Sequence, residues 1–196
     1  MPKLWTETID AHRTALRDAV LDATATLVAE QGLVGLTMSQ IADRAGIGRA
    51  TLYKYFPDAQ AVVTAWHERQ VTRHLEQVRA AADPAVPISA RLHSVLRAYA
   101  LLRHSAQAHH DSDAALFLHE GRHVDEAHQT LRGFVRDLIA EGAREGVLRT
   151  DVSAAELSAY CLAALNAAVA LPSRAAVDRL VLVTAAGLAP DLSARS

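Results

Sequence analysis

Prolines set the first limit on this chain. They stand at Pro2, Pro57, Pro84, Pro87, Pro172 and Pro190, at the edges of long segments rather than inside them. A proline in a helix interior removes a backbone donor and costs about 3 kcal/mol. The segments between them are rich in Ala and Leu, both strong helix formers, and 51% of residues are hydrophobic, enough to bury a core. An all-α protein of about nine helices is therefore expected.

Apolar spacing locates the helices. Leu16, Val20, Ala23 and Leu27 share one face of a helix from about Thr8 to Gln31, with Gly32 as its stop. Thr37 or Ser39 caps a short helix to about Arg44. Gly46 follows, and a second short helix runs from near Gly48 to just before Pro57. Asp58 caps a longer helix carrying Val62, Trp66, Val71, Leu75 and Val78. The stretch AADPAVP makes the clearest break. Beyond it, helices are expected over Ile88 to His104, from Ala114 to Leu118, and over Val124 to Glu145, closed by Gly146. Ser153 caps another, which carries Leu157 to Ala168, and a last one follows Pro172. SAQAHHDSD reads as a loop, and Gly121 weakens or ends the helix before it.

The stretch Thr37 to Phe56 is unlike the rest. Ala42 is small enough for two helices to cross closely, and Gly46, four residues on, accepts a left-handed turn. Ile41, Ile47 and Leu52 supply buried contacts. That spacing is the mark of a helix-turn-helix, although two helices joined at any glycine could mimic it. Arg49, Ala50, Thr51, Tyr53 and Lys54 fall at the start or on the outer face of the second helix. An arginine there can grip guanine, a threonine can bond a phosphate or base edge, and Ala50 has no bulk to hold the helix off. The helix N-terminus adds partial positive charge. The local charge is three basic residues (Arg44, Arg49, Lys54) against one acidic, Asp43, while the first 70 residues hold seven Lys/Arg against eight Asp/Glu. Contact with nucleic acid must come from this patch and not from bulk charge. Singly, each residue has a plainer use: Arg44 as a C-terminal helix charge, Phe56 as core, Arg49 and Lys54 as a solvated face.

Together, AGI followed by RATLYKYF at 45–56, within a match from about Arg17 to Trp66, resembles the tetracycline-repressor (TetR) family of transcriptional regulators. The resemblance implies a helix-turn-helix DNA-binding domain at 1–57 and a helical ligand-binding and dimerisation domain at 58–196. It implies a homodimer through the last two helices, a pseudo-palindromic double-stranded DNA operator, and a small-molecule effector that releases it. The implied DNA-binding residues are Thr37, Ser39, Arg44, Gly48, Arg49, Ala50, Thr51, Tyr53, Lys54 and Tyr55. Two departures stand out. The family usually has serine where Gly48 stands, and lysine where Ala59 stands. Both changes remove a phosphate contact and lower the expected affinity and salt dependence.

The second domain offers fewer signals. Tyr99, Arg103, Phe117, His119, His123, Phe134, Tyr160 and Asn166 are the candidates for lining an effector pocket, with Arg103 suited to an anion. Six of the ten histidines fall between His104 and His128. His119 and His123 have metal-ligand spacing, which leaves a metal-responsive regulator as an alternative, against a solvated polar segment. HEGRH at 119–123 fits the His-Glu-x-x-His pattern of a zinc hydrolase, but Gly121 is poor for the helix that chemistry needs. A helical interaction adaptor without DNA binding is a further alternative. No catalysis and no cofactor are expected. The single Cys161 excludes an intrachain disulfide. Leu157 to Leu171 is too short and interrupted to span a bilayer, and the N-terminus lacks a signal-peptide core, so a cytoplasmic location without membrane contact is expected.

Overall fold

The computed structural model describes residues 3–33, 35–106 and 122–190, and the side chains within them except at 3–10, 106, 122 and 123. These residues are all-helical, with no strand among them. The elements are α1 (Lys3–Gln31), α2 (Met38–Ala45), α3 (Arg49–Tyr55), α4 (Ala59–Ala80), α5 (Ile88–Ala106), α6 (Arg122–Arg144), α7 (Ala154–Asn166), a 3-10 helix (Ala167–Ala170) and α8 (Arg174–Ala186). Each proline among them lies outside an α-helix, as its missing donor requires. The helix expected over Ala114 to Leu118 and the stop at Gly121 lie outside the described residues.

The chain divides into two compact units between Gln70 and Val71, inside α4. The boundary read from the sequence, at 57/58, marks the entry to α4, where the Ala61 N–H donates to Asp58 Oδ1 (2.8 Å). In the first unit, Val20, Leu21 and Leu27 of α1 pack with Met38, Ile41 and Ala42 of α2, Leu52 of α3, Phe56, and Val62 and Ala65 of α4. Thr24 joins this face wholly buried and donates its hydroxyl back to the Val20 carbonyl (2.8 Å), so the polar atom is satisfied inside the core. Arg69 of α4 reaches Asp22 of α1 at 2.7 Å.

The second unit is built on α5. Its buried stripe of Ile88, Leu92, Val95, Leu96, Tyr99 and Ala100 packs against Leu131, Val135, Leu138 and Ile139 of α6, Leu157, Cys161 and Leu165 of α7, and Val177 and Val181 of α8. Burying each large aliphatic side chain stabilises by roughly 1.5–3 kcal/mol. Arg91 of α5 pairs with Glu141 of α6, and Arg97 of α5 pairs with Asp178 of α8 at 2.7 Å. After α6 the chain folds back so closely that a Cβ at Gly142 would lie 2.6 Å from Leu148 Cδ1; only glycine allows this approach. Ser153 caps α7 with a reciprocal capping box to Glu156, and α7 tightens into the 3-10 helix where a single α-helix to Ala168 was expected.

Candidate nucleic-acid interface

The short helices α2 and α3 are held from their ends and from beneath. Thr37, not Ser39, is the N-cap of α2. Its hydroxyl accepts the Gln40 N–H (3.3 Å), while Gln40 Oε1 accepts the Thr37 N–H (2.9 Å). Ser39 sits half-buried inside the first turn. The partner Gln40 was legible as the third residue after a threonine but was not picked out. At the other end Gly46 takes φ 68° and ψ 28°, and its N–H reaches the Ala42 and Asp43 carbonyls. A side chain there would cost about 1 kcal/mol, so this glycine sets the direction in which α3 departs. Ala42 and Leu52 are both fully buried, and the crossing of α2 and α3 closes over them.

Leu52 and Phe56 turn inward, which leaves one side of α3 facing out. Arg49, Ala50, Tyr53 and Lys54 are exposed, Tyr53 by 48%. Arg49 and Tyr53, and Ala50 and Lys54, are each four apart and so neighbours on the helix surface. Arg49 and Lys54 form no ion pair among the described residues. Thr51 is half-buried, and Tyr55 is half-buried against the first unit's core. Gly48 is the N-cap of α3 and supplies no side-chain hydrogen bond, so that end is covered only by backbone.

Arg44 is differently placed. Its two terminal nitrogens meet both oxygens of Glu30 at 3.0 and 2.6 Å, a fork joining α2 to the end of α1. That hydrogen bonding holds the Glu30 carboxyl below its ordinary range. The positive charge free for an outside partner is thus on α3, at Arg49 and Lys54. Glu30 was not singled out from the sequence, because nothing local links residues 30 and 44.

In the second unit the structure joins two of the candidate pocket residues. The Tyr99 hydroxyl donates to Asn166 Oδ1 at 2.7 Å, bridging α5 and the end of α7. Burial pushes the Tyr99 phenol upward, and the nearby Arg103 charge opposes this in part. Phe134 lies elsewhere, under the Arg79 guanidinium (5.4 Å to the ring centre). Tyr160 is not brought to the Tyr99–Asn166 pair. It is 45% exposed, and its hydroxyl lies beside Gly187. Leu182 and Val183 of α8 are also exposed, at 59% and 68%. Phe117, His119 and the His123 side chain lie outside the described residues. Among the described residues, no group of three or more His, Cys, Asp or Glu side chains gathers as a metal site would, and no helix is long and apolar enough to cross a membrane. A groove of about 480 Å³ runs along Ala98, Leu101, Leu102 and His104 of α5, with Gln77 of α4 and Arg174 of α8. The His104 Nδ1 sits 3.2 Å from the Ala168 carbonyl, which only accepts, so this nitrogen carries the proton.

Residues 20–65 match the sequence pattern of bacterial regulatory proteins of the tetR family. An uncharacterised HTH-type transcriptional regulator of Mycobacterium tuberculosis is 39% identical over 69 residues, 35% of this chain and 34% of the relative. The HTH-type transcriptional regulator AlkX of the same organism is 35% identical over 77 residues, 39% of this chain and 36% of AlkX. The chain thus matches about a third of the length of these relatives. Among solved structures, a TetR/AcrR-family transcriptional regulator from Thermobifida fusca superposes with a TM-score of 0.71 at 21% identity, over 87% of this chain and 97% of that one. The regulator FadR from Bacillus subtilis in complex with stearoyl-CoA gives 0.63 at 15% identity, over 87% and 98%. At these identities the likeness is one of fold.

Proposed function

We infer that this chain, whose residues 20–65 match the pattern of bacterial regulatory proteins of the tetR family, is a ligand-responsive transcriptional regulator of that family that binds a pseudo-palindromic operator as a homodimer. The observation that carries this is the outer face of α3. Arg49, Ala50, Tyr53 and Lys54 stand clear of the protein on a helix whose other side is locked down by Leu52 and Phe56. A helix of this kind enters the major groove, where Arg49 addresses a base edge and Lys54 a phosphate. Thr37, Ser39, Gly48, Thr51 and Tyr55 flank that surface. Arg44, already forked to Glu30, orients the pair of helices more than it contacts DNA.

The exposed apolar residues of the last two helices support a dimer. Tyr160 on α7 and Leu182 and Val183 on α8 are large apolar side chains left open, and a second copy would cover them. A two-fold pair of α3 helices then reads two half-sites about one DNA turn apart or a near multiple of it. The second unit binds a small molecule, as the regulator FadR from Bacillus subtilis does in its complex with stearoyl-CoA. Binding favours a state whose recognition helices no longer fit the operator, and α4, which belongs to both units, conveys the change. Such coupling requires the ligand to prefer one state.

The test is footprinting on DNA upstream of the protein's own gene. Protection of a symmetric site is expected. Arg49→Ala should cost about 1–3 kcal/mol of base discrimination, and Lys54→Ala should weaken all sequences alike and reduce the salt slope by about one. If the purified protein ignores duplexes of every sequence at low salt, the inference fails and the interaction adaptor takes its place.

A further inference from the structure

We propose that α3 selects a thymine in each half-site and recognises it by its C5-methyl group, which Ala50 and the Tyr53 ring receive; this rests on the operator-binding reading above. The face that carries the two residues cannot turn. Leu52 is fully buried and Phe56 nearly so, and together they fix the rotation of α3 about its own axis. Ala50 stands exposed on the opposite side, with the exposed Tyr53 three residues on. Residues three apart are neighbours on a helix surface, so the alanine methyl and the tyrosine ring form one small apolar island.

Cations border this island. Arg49 precedes Ala50, and Lys54 lies four residues beyond it on the same face. Arg49, Tyr53 and Lys54 have no hydrogen bond or ion pair among the described residues. Phosphates along a groove attract the two cations, and the apolar centre between them is then pressed against a base edge. Against a polar edge, a methyl and a ring would leave a hydrogen-bonding group without a partner. Thymine alone of the four bases presents a methyl in the major groove.

The rest of the helix excludes other readings. Pairing with adenine N6 and N7 takes Asn or Gln, and accepting from cytosine N4 takes Asp or Glu. RATLYKY, residues 49–55, contains none of these. On α2, Gln40 and Asp43 line a groove with Leu27, Glu30 and Gln31 of α1, so both are turned toward the end of α1. Gln40 also accepts the Thr37 N–H. The Tyr53 hydroxyl both donates and accepts, so it does not choose among bases. What remains outward is an arginine and a lysine, suited to guanine or phosphate, and an island suited to thymine. Arg49 and Ala50 are consecutive, about 3.8 Å apart at Cα, close to the roughly 3.4 Å step between bases, which puts the thymine beside the base that Arg49 addresses.

The test starts with selection of duplexes from a random pool by the full chain. Each thymine of the enriched site is then replaced by deoxyuridine, which lacks only the methyl, and binding is followed by fluorescence anisotropy. One thymine per half-site should be sensitive. Affinity should fall about fourfold when one half-site is changed and about fifteenfold when both are, the worth of one buried methyl each. Ala50→Gly should bind thymine and deoxyuridine alike at that position, and should keep the salt slope and the preference at the adjoining base. Ala50→Ser, which spares the helix a glycine, should lose the discrimination too. Uniform tolerance of deoxyuridine by the wild type overturns the proposal. So does methyl discrimination that survives in Ala50→Gly, or in Ala50→Ser should the glycine variant not fold. In those cases an enriched symmetric site leaves the regulator reading standing, whereas a chain that enriches no duplex overturns both.

Discussion

Replacing Gly48 by serine should stabilise the protein and tighten DNA binding at once. Gly48 has φ −68° and ψ 143°, extended backbone open to any residue, and a Cβ there would meet only Thr51 Oγ1 at 3.9 Å. The chain itself supplies the comparison: Ser153 caps α7 from φ −64° and ψ 147°, accepting the Glu156 N–H at 3.2 Å. Gly48→Ser should therefore offer a second acceptor, without backbone adjustment, to the Thr51 N–H, which already donates to the Gly48 carbonyl at 2.9 Å. Serine exceeds glycine as a cap by a few tenths of a kcal/mol, and loss of the glycine's freedom in the unfolded chain adds roughly 0.4–1 kcal/mol. The sum is about 1 kcal/mol, or about 2–4 °C in Tm for a chain of this size. Gly48→Ala shares the unfolded-state gain without the capping oxygen, so the serine-minus-alanine difference isolates the cap at about 1 kcal/mol. Both variants are melted at one fixed protein concentration, since the Tm of the proposed dimer would depend on it. Although both departures from the family pattern are expected to lower salt dependence, a hydroxyl is neutral and releases no counterion, so Gly48→Ser should raise operator affinity a few-fold with no change in salt slope, whereas Ala59→Lys should steepen the slope by about one per protomer. A serine variant no more stable than the alanine variant would refute the reasoning, because α3 could not then begin where described.

Three further outcomes are expected. Gly142→Ala forces a Cβ to 2.6 Å from Leu148 Cδ1, a side chain only 8% exposed, and should cost about 1–3 kcal/mol by chemical denaturation; adding Leu148→Ala should recover part of it. Cys161 is buried and its thiol is pushed up to about 12, so iodoacetamide should leave it unmodified in the native protein at neutral pH and label it promptly in denaturant, as mass spectrometry would show. The Glu30 carboxyl is held below its usual 4.5 by hydrogen bonding to Arg44. Its contribution to stability is therefore complete above the unfolded value and disappears as pH falls through the folded one. Glu30→Gln should melt slightly lower than wild type at neutral pH, and the two should converge in acid.

Local chemistry was legible, and pairing at a distance was not. Apolar spacing on α1 identified its buried face, because a helix's own period decides which residues turn inward. Gly46 and Ala42 were readable because the turn they make lies within a few residues. The start of α1 was placed at Thr8 rather than Lys3, since nothing between those residues signals a beginning. Thr37 and Ser39 could not be separated, because either side chain can cap; the following Gln40 decides it. Tyr160 reads as a pocket candidate because it is a polar interruption of an apolar helix, and the sequence does not tell which side of α7 meets the body. The engagement of Arg44 depends on Glu30 coming alongside from another helix, which is not written in any short stretch.

The fork between Arg44 and Glu30 also bears on how such a protein would search a genome. It withdraws one of three cations from the Thr37–Phe56 region and leaves two on α3, in a chain whose formal charge is -2. Attraction to anonymous duplex scales with the number of phosphates neutralised, and two cations on the proposed interface would keep that number small. Few copies would be lost on decoy sequence, so a modest cellular pool would suffice to keep a true site occupied; in exchange, arrival at that site would depend more on chance collision than on sliding.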